Sequence, residues 1–314
     1  MKIGVIAPSF RPEICELRPG LDMLEIAGFE VVLGRELLSS PPRFTSPFER
    51  REQRAGEFIE MWKREDIDAL WACDGGAGAL YLLPELEHFL DGAIGAACKP
   101  KVLFGFSDIT FLQMFLAKRE LQAWMTPNIW DASDKAGMES FHSCLPFVQS
   151  IVEKAQNFGE YASGCVSEFV DVLRPGEAKG NLLCGNFTCL THLAGTKYAP
   201  SFDGAIVLTE DHTPDTPGQH EYLFWEKLQH LTLSGDWNRV AAFIFGDIDI
   251  QGPYADDGEL HPSIYETIEK TVGRMSEGPI ITTLPFGLFN IERPLPIGVE
   301  ASLIARDGRC ELEW

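Results

Sequence analysis

Four short apolar runs near the start of the chain, Lys2 to Ala7, Phe29 to Leu33, Ile67 to Cys73 and Lys101 to Phe106, constrain the fold more than any other feature. Each has the length of a strand, and each is followed by an amphipathic or irregular stretch. That alternation is the βαβ rhythm of a parallel sheet covered by helices. The segment Arg50 to Glu65 places Phe58, Met61 and Trp62 on one face among charged residues, as a helix packed on such a sheet requires. A further helix is expected over Ala77 to Phe89. Downstream the pattern is again mixed, with strands expected at Gly204 to Leu208, Val240 to Gly246 and Pro279 to Thr283 and a helix near His220 to Leu231. Ala301 to Trp314 reads as two short strands turned by Asp307-Gly308.

Between Asn157 and Gly180 the periodicity weakens, and Gly159, Gly164, Pro175, Gly176 and Gly180 mark turns. A boundary is expected there, giving an N-terminal domain over 1–156, a linker over 157–180 and a C-terminal domain over 181–314. The fold class is α/β: an N-terminal parallel-sheet domain of flavodoxin or Rossmann type, plus a smaller mixed α/β domain. A chain of 314 residues needs no staples to bury such cores. Its eight cysteines are scattered and mostly embedded in apolar patterns, as buried reduced thiols are, which points to the cytoplasm. No apolar run is long enough to span a bilayer, and a formal net charge of -21 disfavours a nucleic-acid partner.

The fourth apolar run breaks into Gly105-Phe106-Ser107-Asp108-Ile109-Thr110 and then into a helical pattern. A serine on a sharp strand-to-helix turn has its hydroxyl lifted clear of the sheet, with the next backbone N–H pointing to where an oxyanion would form. Ser107 is therefore a candidate nucleophile. The same string is also compatible with a plain helix N-cap by Ser107 or Asp108. A second glycine-rich turn, Asp74-Gly75-Gly76-Ala77-Gly78-Ala79, follows the third run. Its glycines allow a backbone to approach a ligand closely, as an oxyanion donor or carboxylate cradle. It has neither the phosphate-loop spacing nor a dinucleotide fingerprint.

Together with Met1-to-Pro8, Leu82-Leu83-Pro84, Gly180-Asn181-Leu182, Gly185-Asn186, Gly195-Thr196, Gly204 to Asp211, Pro285-Phe286-Gly287 and Pro294 to Gly298, these blocks resemble the LD-carboxypeptidase family. Those serine peptidases include muramoyl-tetrapeptide carboxypeptidases and microcin C immunity proteins. The resemblance covers nearly the whole chain. It implies Ser107 as nucleophile, Glu210 as the acid that orients a histidine, and an oxyanion hole from the N–H of Asp108 and one from Gly75 or Gly76. It also implies a homodimer, no cofactor and a pocket between the two domains. The substrate class it implies is a cell-wall LD-peptide or a peptidyl-nucleotide, cut at an amide near a carboxy terminus.

Two departures stand out against that family. Where its members have Gly-His, this chain reads Gly287-Leu288, and no histidine follows His261. Leucine cannot accept a proton, so the family mechanism needs another base. His212 is the first choice, two residues past Glu210 in a loop expected over Asp211 to Gln219, and His220 the second; Glu210 or Asp211 acting directly is a third route. A catalytically silent peptide or peptidyl-nucleotide binder on the same fold is the alternative. The other departure is Asp74, where the tetrapeptide-cleaving members tend to carry a basic residue; an anion there disfavours a nearby substrate carboxylate. A metal-dependent hydrolase using Glu210, Asp211, His212, Asp215, His220 and Glu221 is the reading from a different class, although this spacing fits no standard ligand pattern and no metal site is assigned.

Overall fold

The computed structural model describes residues 1–39, 48–91, 98–211, 220–235, 237–248, 262–287 and 290–314. The chain divides into two compact units: unit 1 is Met1–Ala162 with Phe289–Ile297, and unit 2 is Ser163–Leu288 with Gly298–Trp314.

Unit 1 holds a six-stranded sheet. Its parallel strands are β1 (Lys2–Ile6), β2 (Glu30–Leu33), β3 (Ala69–Ala72), β4 (Val102–Gly105) and β5 (Ala123–Met125), in spatial order β2-β1-β3-β4-β5. The four apolar runs of the sequence are the first four of these strands. β3 and β4 are buried at every position, as strands covered on both faces must be. Between and beyond these strands lie helices α1 (Ile14–Ile26), α2 (Arg35–Leu38), α3 (Arg51–Lys63), α4 (Leu83–Leu90), α5 (Thr110–Ala117) and α6 (Lys135–Phe158). Phe58, Met61 and Trp62 of α3 are buried, the face its sequence pattern predicts. The helix expected over Ala77 to Phe89 starts later, as a 3-10 turn at Ala79–Leu82 running into α4, because Gly76 (φ 95°) and Gly78 (φ 145°) hold the preceding backbone outside the helical region.

The strand order reverses between β1 and β3. In a doubly wound sheet this is where the carboxyl ends of the strands leave a crevice. The sequence does not announce β12 (Leu295–Ile297), which returns from the far end of the chain to pair antiparallel with β5, Leu295 opposite Met125.

Unit 2 holds an eight-stranded sheet. The stretch read from sequence as a linker, 157–180, supplies β6 (Cys165–Phe169), β7 (Asp171–Arg174) and the start of β8 (Gly176–Asn186). β8, β9 (Ile206–Asp211), β10 (Ala242–Ile248) and β11 (Ile280–Thr282) run parallel, and β13 (Val299–Arg306) and β14 (Arg309–Glu313) extend the sheet antiparallel beside β8. β6 forms one edge and β7 the other, with only Val170 between them, so one bent stretch of chain supplies both edges. Weak patterning is the expected signature here, since neither segment has a buried position: β6 alternates exposed with half-buried residues, and β7 has one exposed residue followed by three half-buried ones. The helices of this unit are α7 (Phe187–Leu193), α8 (His220–Ser234) and α9 (Pro262–Val272). The C-terminal hairpin turns at Asp307 (φ 52°) and Gly308 (φ 71°), two successive left-handed residues, as its Asp-Gly dipeptide predicts.

Of the eight cysteines five are buried as the pattern suggests, whereas Cys15 and Cys165 are exposed. Among the described residues no helix is long and apolar enough to cross a membrane.

Candidate active site

Ser107 lies at the carboxyl end of β4 and has φ 61°, a left-handed conformation that costs a non-glycine residue roughly 1–2 kcal/mol. Such strain persists only where the surroundings over-determine it. Here they do. The Phe106 N–H donates to Asn128 Oδ1 at 3.0 Å, the Thr126 N–H to the Gly105 carbonyl at 3.0 Å, and Gln113 Nε2 bridges the carbonyls of Gly105 (2.9 Å) and Trp124 (3.0 Å). Asn128 is held in turn by Asp131, whose carboxylate accepts the Asn128 N–H at 2.7 Å. A Cβ on Gly105 would stand 2.8 Å from Ile109 Cγ2, so glycine lets the helix start close against the strand. From Lys101 to Thr110 every residue is buried except Ser107, which is half-buried. The turn therefore presents its hydroxyl-bearing residue alone.

The glycine turn packs directly on this serine. A Cβ on Gly75 would sit 2.9 Å from Ser107 Cβ and 3.2 Å from Oγ. One on Gly76, whose φ of 95° already favours glycine, would enter the Phe10 ring at 2.2 Å. The Phe10 N–H donates to the Gly75 carbonyl at 2.9 Å, which ties the loop after β1 to the loop after β3. Asp108 is buried and accepts hydrogen bonds from the Ser9 hydroxyl and from the Ala79 N–H (2.8 Å). Burial pushes its carboxyl up to about 6, against the pull of those hydrogen bonds and of the Arg54 charge. Burial also pushes Asp131 up to about 7, with the nearby charge of half-buried Asp74 adding to it. Glu57, raised to about 7 by burial, accepts the N–H of Ala7 (2.9 Å) and of Glu36 (2.6 Å), which pins the end of β1.

In unit 2 Glu210 is the penultimate residue of β9 and is 1% exposed. Its register partner on β8 is Asn186, whose Nδ2 donates to Glu210 Oε1 at 3.0 Å and to Asp211 Oδ1 at 3.4 Å. Asp211 is also buried, and it accepts from the Thr188 hydroxyl at 3.0 Å and pairs with Lys227 of α8. Lys227 Nζ also donates to Thr188 Oγ1 at 2.6 Å. The ammonium faces Asp211, and among the described residues Glu210 is left with one amide donor in the interior. Burial first, and the Asp211 charge second, push the Glu210 carboxyl up to about 8, so it is protonated at neutral pH.

Of the residues singled out from sequence, Ser107, Asp108, Gly75 and Gly76 are brought together in unit 1, and Glu210 sits in unit 2 with Asp211. His212 and Leu288 lie outside the described residues, as do the side chains of His220 and Glu221. His88, His192 and His230 are exposed on helices. Trp124 is core, 2% exposed on β5 beside Tyr161. Sequence reasoning did not pick out Ser9, Arg54, Asn128, Asp131, Asn186, Thr188 or Lys227 as site residues. The only sequence-level signal among them is Asn186, which follows a glycine at a strand end and caps α7 by accepting the Cys189 N–H at 3.2 Å.

Comparison with known proteins gives a consistent picture. The family model described as the LD-carboxypeptidase N-terminal domain matches residues 3–126, and that of the LD-carboxypeptidase C-terminal domain matches residues 179–303. The probable murein peptide carboxypeptidase of Bacillus subtilis (strain 168) is 24% identical over 313 residues, covering 99% of this chain and 91% of that protein. The microcin C7 self-immunity protein MccF of Escherichia coli is 26% identical over 257 residues, covering 72% of this chain and 69% of that protein. Among solved structures, a muramoyltetrapeptide carboxypeptidase from Oxalobacter formigenes superposes with a TM-score of 0.76 at 24% identity, covering 100% of this chain and 98% of that one. MccF in complex with glutamyl sulfamoyl guanosine superposes with a TM-score of 0.74 at 18% identity, covering 100% and 96%.

Proposed function

The chain belongs to the LD-carboxypeptidase family, and from that premise we propose that it is a serine-type hydrolase cutting an amide near a carboxy terminus, in an LD-peptide of cell-wall origin or a peptidyl-nucleotide. The observation that carries the reading is the strained Ser107, φ 61°, seated against a glycine whose every substitution would strike it. The two substrate classes come from the relatives: one is named for murein peptides, and MccF has been solved with an acyl-sulfamoyl nucleoside.

In this mechanism Ser107 Oγ attacks the carbonyl carbon while a base takes the hydroxyl proton. The N–H of Asp108 and one from Gly75 or Gly76 hold the oxyanion. The C–N bond breaks, the amine leaves with the proton, and water then releases the acyl group from Oγ. With Leu288 at the position where the family carries histidine, His212 is the proposed base and Glu210 the acid that orients it. The protein acts without a cofactor, as a homodimer, in the cytoplasm.

A second reading, a silent binder of the same ligands, is favoured by one observation. A glutamate raised to about 8 is neutral at pH 7 and gives an imidazolium little charge stabilisation. The metal-dependent reading rests on side chains from Glu210 to Glu221 and is separated by a chelator, which would abolish turnover only on that route.

The deciding experiment incubates wild type, Ser107→Ala and Leu288→His with an LD-tetrapeptide and with an aminoacyl-sulfamoyl-adenosine, followed by mass spectrometry. Cleavage by wild type that disappears in Ser107→Ala is the expected result, and it makes His212 the next residue to replace. Turnover in Leu288→His alone would establish the silent binder, a pocket that lacks only its base.

A further inference from the structure

Three loops of unit 1 close a ring around the nucleophile. Ser107 is bonded to Asp108; the Asp108 carboxylate accepts the Ser9 hydroxyl; Ser9 is bonded to Phe10; the Phe10 N–H donates to the Gly75 carbonyl at 2.9 Å; and Gly75 packs back on Ser107. The same carboxylate oxygen that takes the Ser9 hydroxyl takes the Ala79 N–H at 2.8 Å, and the Gly78 N–H also donates to this carboxylate. One side chain thus grips both ends of the 75–79 turn: its far end directly, and its near end through Ser9 and Phe10.

The grip is buried and charge-balanced. Ser9 is fully buried and Asp108 is 7% exposed, so water does not compete for these bonds. Arg54, 6% exposed, lends its positive charge to Asp108. Among the described residues its Nη1 has no hydrogen-bond partner, and it stands 2.6 Å from where a Gly78 Cβ would be. Burying an arginine nitrogen in this way is costly, and the arginine's field over Asp108 gives it a use.

We propose that the Asp108 side chain is a positioning residue: it clamps the Gly75–Ala79 turn onto the loop after β1 and so sets where the Gly75 and Gly76 N–H groups stand relative to Ser107 Oγ. This goes beyond the backbone role given to Asp108 above and rests on the serine-hydrolase reading for its catalytic consequence. Oxyanion donors act only within a few tenths of an ångström of the right place, so a loosened turn lowers the rate of attack at Ser107 without altering Ser107 itself.

The test uses Asp108→Ala, which removes the clamp, and Ser9→Ala, which removes one of its donors and keeps the fold if the first variant does not. Two readouts are taken on the full chain: amide hydrogen exchange of residues 75–79, and the rate at which a fluorophosphonate labels Ser107, with Ser107→Ala as the blank. The expected result is faster exchange confined to this turn and to Ser9-Phe10, with labelling slowed on the order of 10²-fold in Asp108→Ala and by less in Ser9→Ala. Unchanged exchange in both variants overturns the clamp. Faster exchange with unchanged labelling overturns its role in positioning. A wild type that takes no label at Ser107 overturns the serine reading and the positioning role with it, while the exchange data still decide the clamp.

Discussion

The surroundings of Ser107 and of Glu210 solve opposite problems. Around Ser107, carboxylates accept backbone and hydroxyl donors, and the serine is fixed by main-chain geometry: a left-handed φ, two glycines in unusual conformations and three strand ends. Around Glu210 the network consists of side chains on β8, β9, α7 and α8, and two carboxyls share it with one ammonium. The first arrangement stores strain in a backbone; the second buries an ion pair beside a carboxyl that is kept protonated in an interior. Each is a reserve that folding elsewhere must offset, and each reserve responds to a different substitution.

The largest effect is expected at Gly75. A single methyl there meets Ser107 Cβ at 2.9 Å and the Phe106 carbonyl at 3.4 Å, so either the turn or the serine must shift. Gly75→Ala should lower kcat by about 10²-fold or more, since a misplacement near 1 Å costs that much. Some stability should be lost as well, because Gly75 is itself buried. Steady-state kinetics beside a melting curve checks this, and a stable Gly75→Ala enzyme with full turnover would break the assignment of rigidity to this region.

The next effect belongs to the other region. Lys227→Met removes the one cation that pairs with buried Asp211 among the described residues and leaves two carboxyls side by side. Breaking a buried pair from one side costs about 3–5 kcal/mol; Lys227 keeps 15% of its side chain exposed, so the low end is expected. Chemical denaturation at pH 7 reads this. Double replacement by Lys227→Met and Asp211→Leu should recover most of the loss, and no recovery would show that the amine is held for something other than charge balance.

These differences explain what could be read in advance. The strands β1 to β4, the helix α3 and the C-terminal hairpin were legible because their apolar periodicity and turn dipeptides are local. Gly75 and Ser107 were legible for the same reason, since a Gly-rich turn and a strand-to-helix serine are short motifs. β12 was not, because its only reason to be a strand is β5, some 170 residues earlier, and neither Trp124 nor Leu295 signals the other. The strands in 157–180 were hidden by half-exposed alternation and glycines. Ser9, Arg54 and Lys227 were hidden because a residue that serves another residue's carboxylate carries no spacing rule.

A smaller effect separates the regions by pH. The Glu210 carboxyl titrates near 8 when folded and near 4.5 when unfolded, so between those values the folded state holds a proton that the unfolded state has released. Stability from this group therefore falls as pH rises through that window. Glu210→Gln carries no such slope, and its melting temperature relative to wild type should climb by several degrees from pH 5 to pH 8. A flat difference would mean that Glu210 is ionised in the folded protein. Asp108 and Asp131, raised to about 6 and about 7, impose the same sign on unit 1 over a narrower window.

The smallest effect bears on the strain itself. Ser107→Ala and Ser107→Gly both remove the hydroxyl and both should abolish turnover, so activity cannot tell them apart. Stability can. Alanine keeps a Cβ at φ 61° and keeps the cost, whereas glycine adopts that conformation freely. Glycine also gains entropy on unfolding, which works against it by roughly 0.5–1 kcal/mol. If the left-handed cost is about 1–2 kcal/mol, Ser107→Gly should still exceed Ser107→Ala by up to about 1 kcal/mol, the reverse of the order expected at an ordinary helical position. Finding alanine the more stable would mean that the turn relaxes once the hydroxyl is gone, and that the backbone around Ser107 is held by its side chain rather than by Asn128, Gln113 and the glycine turn.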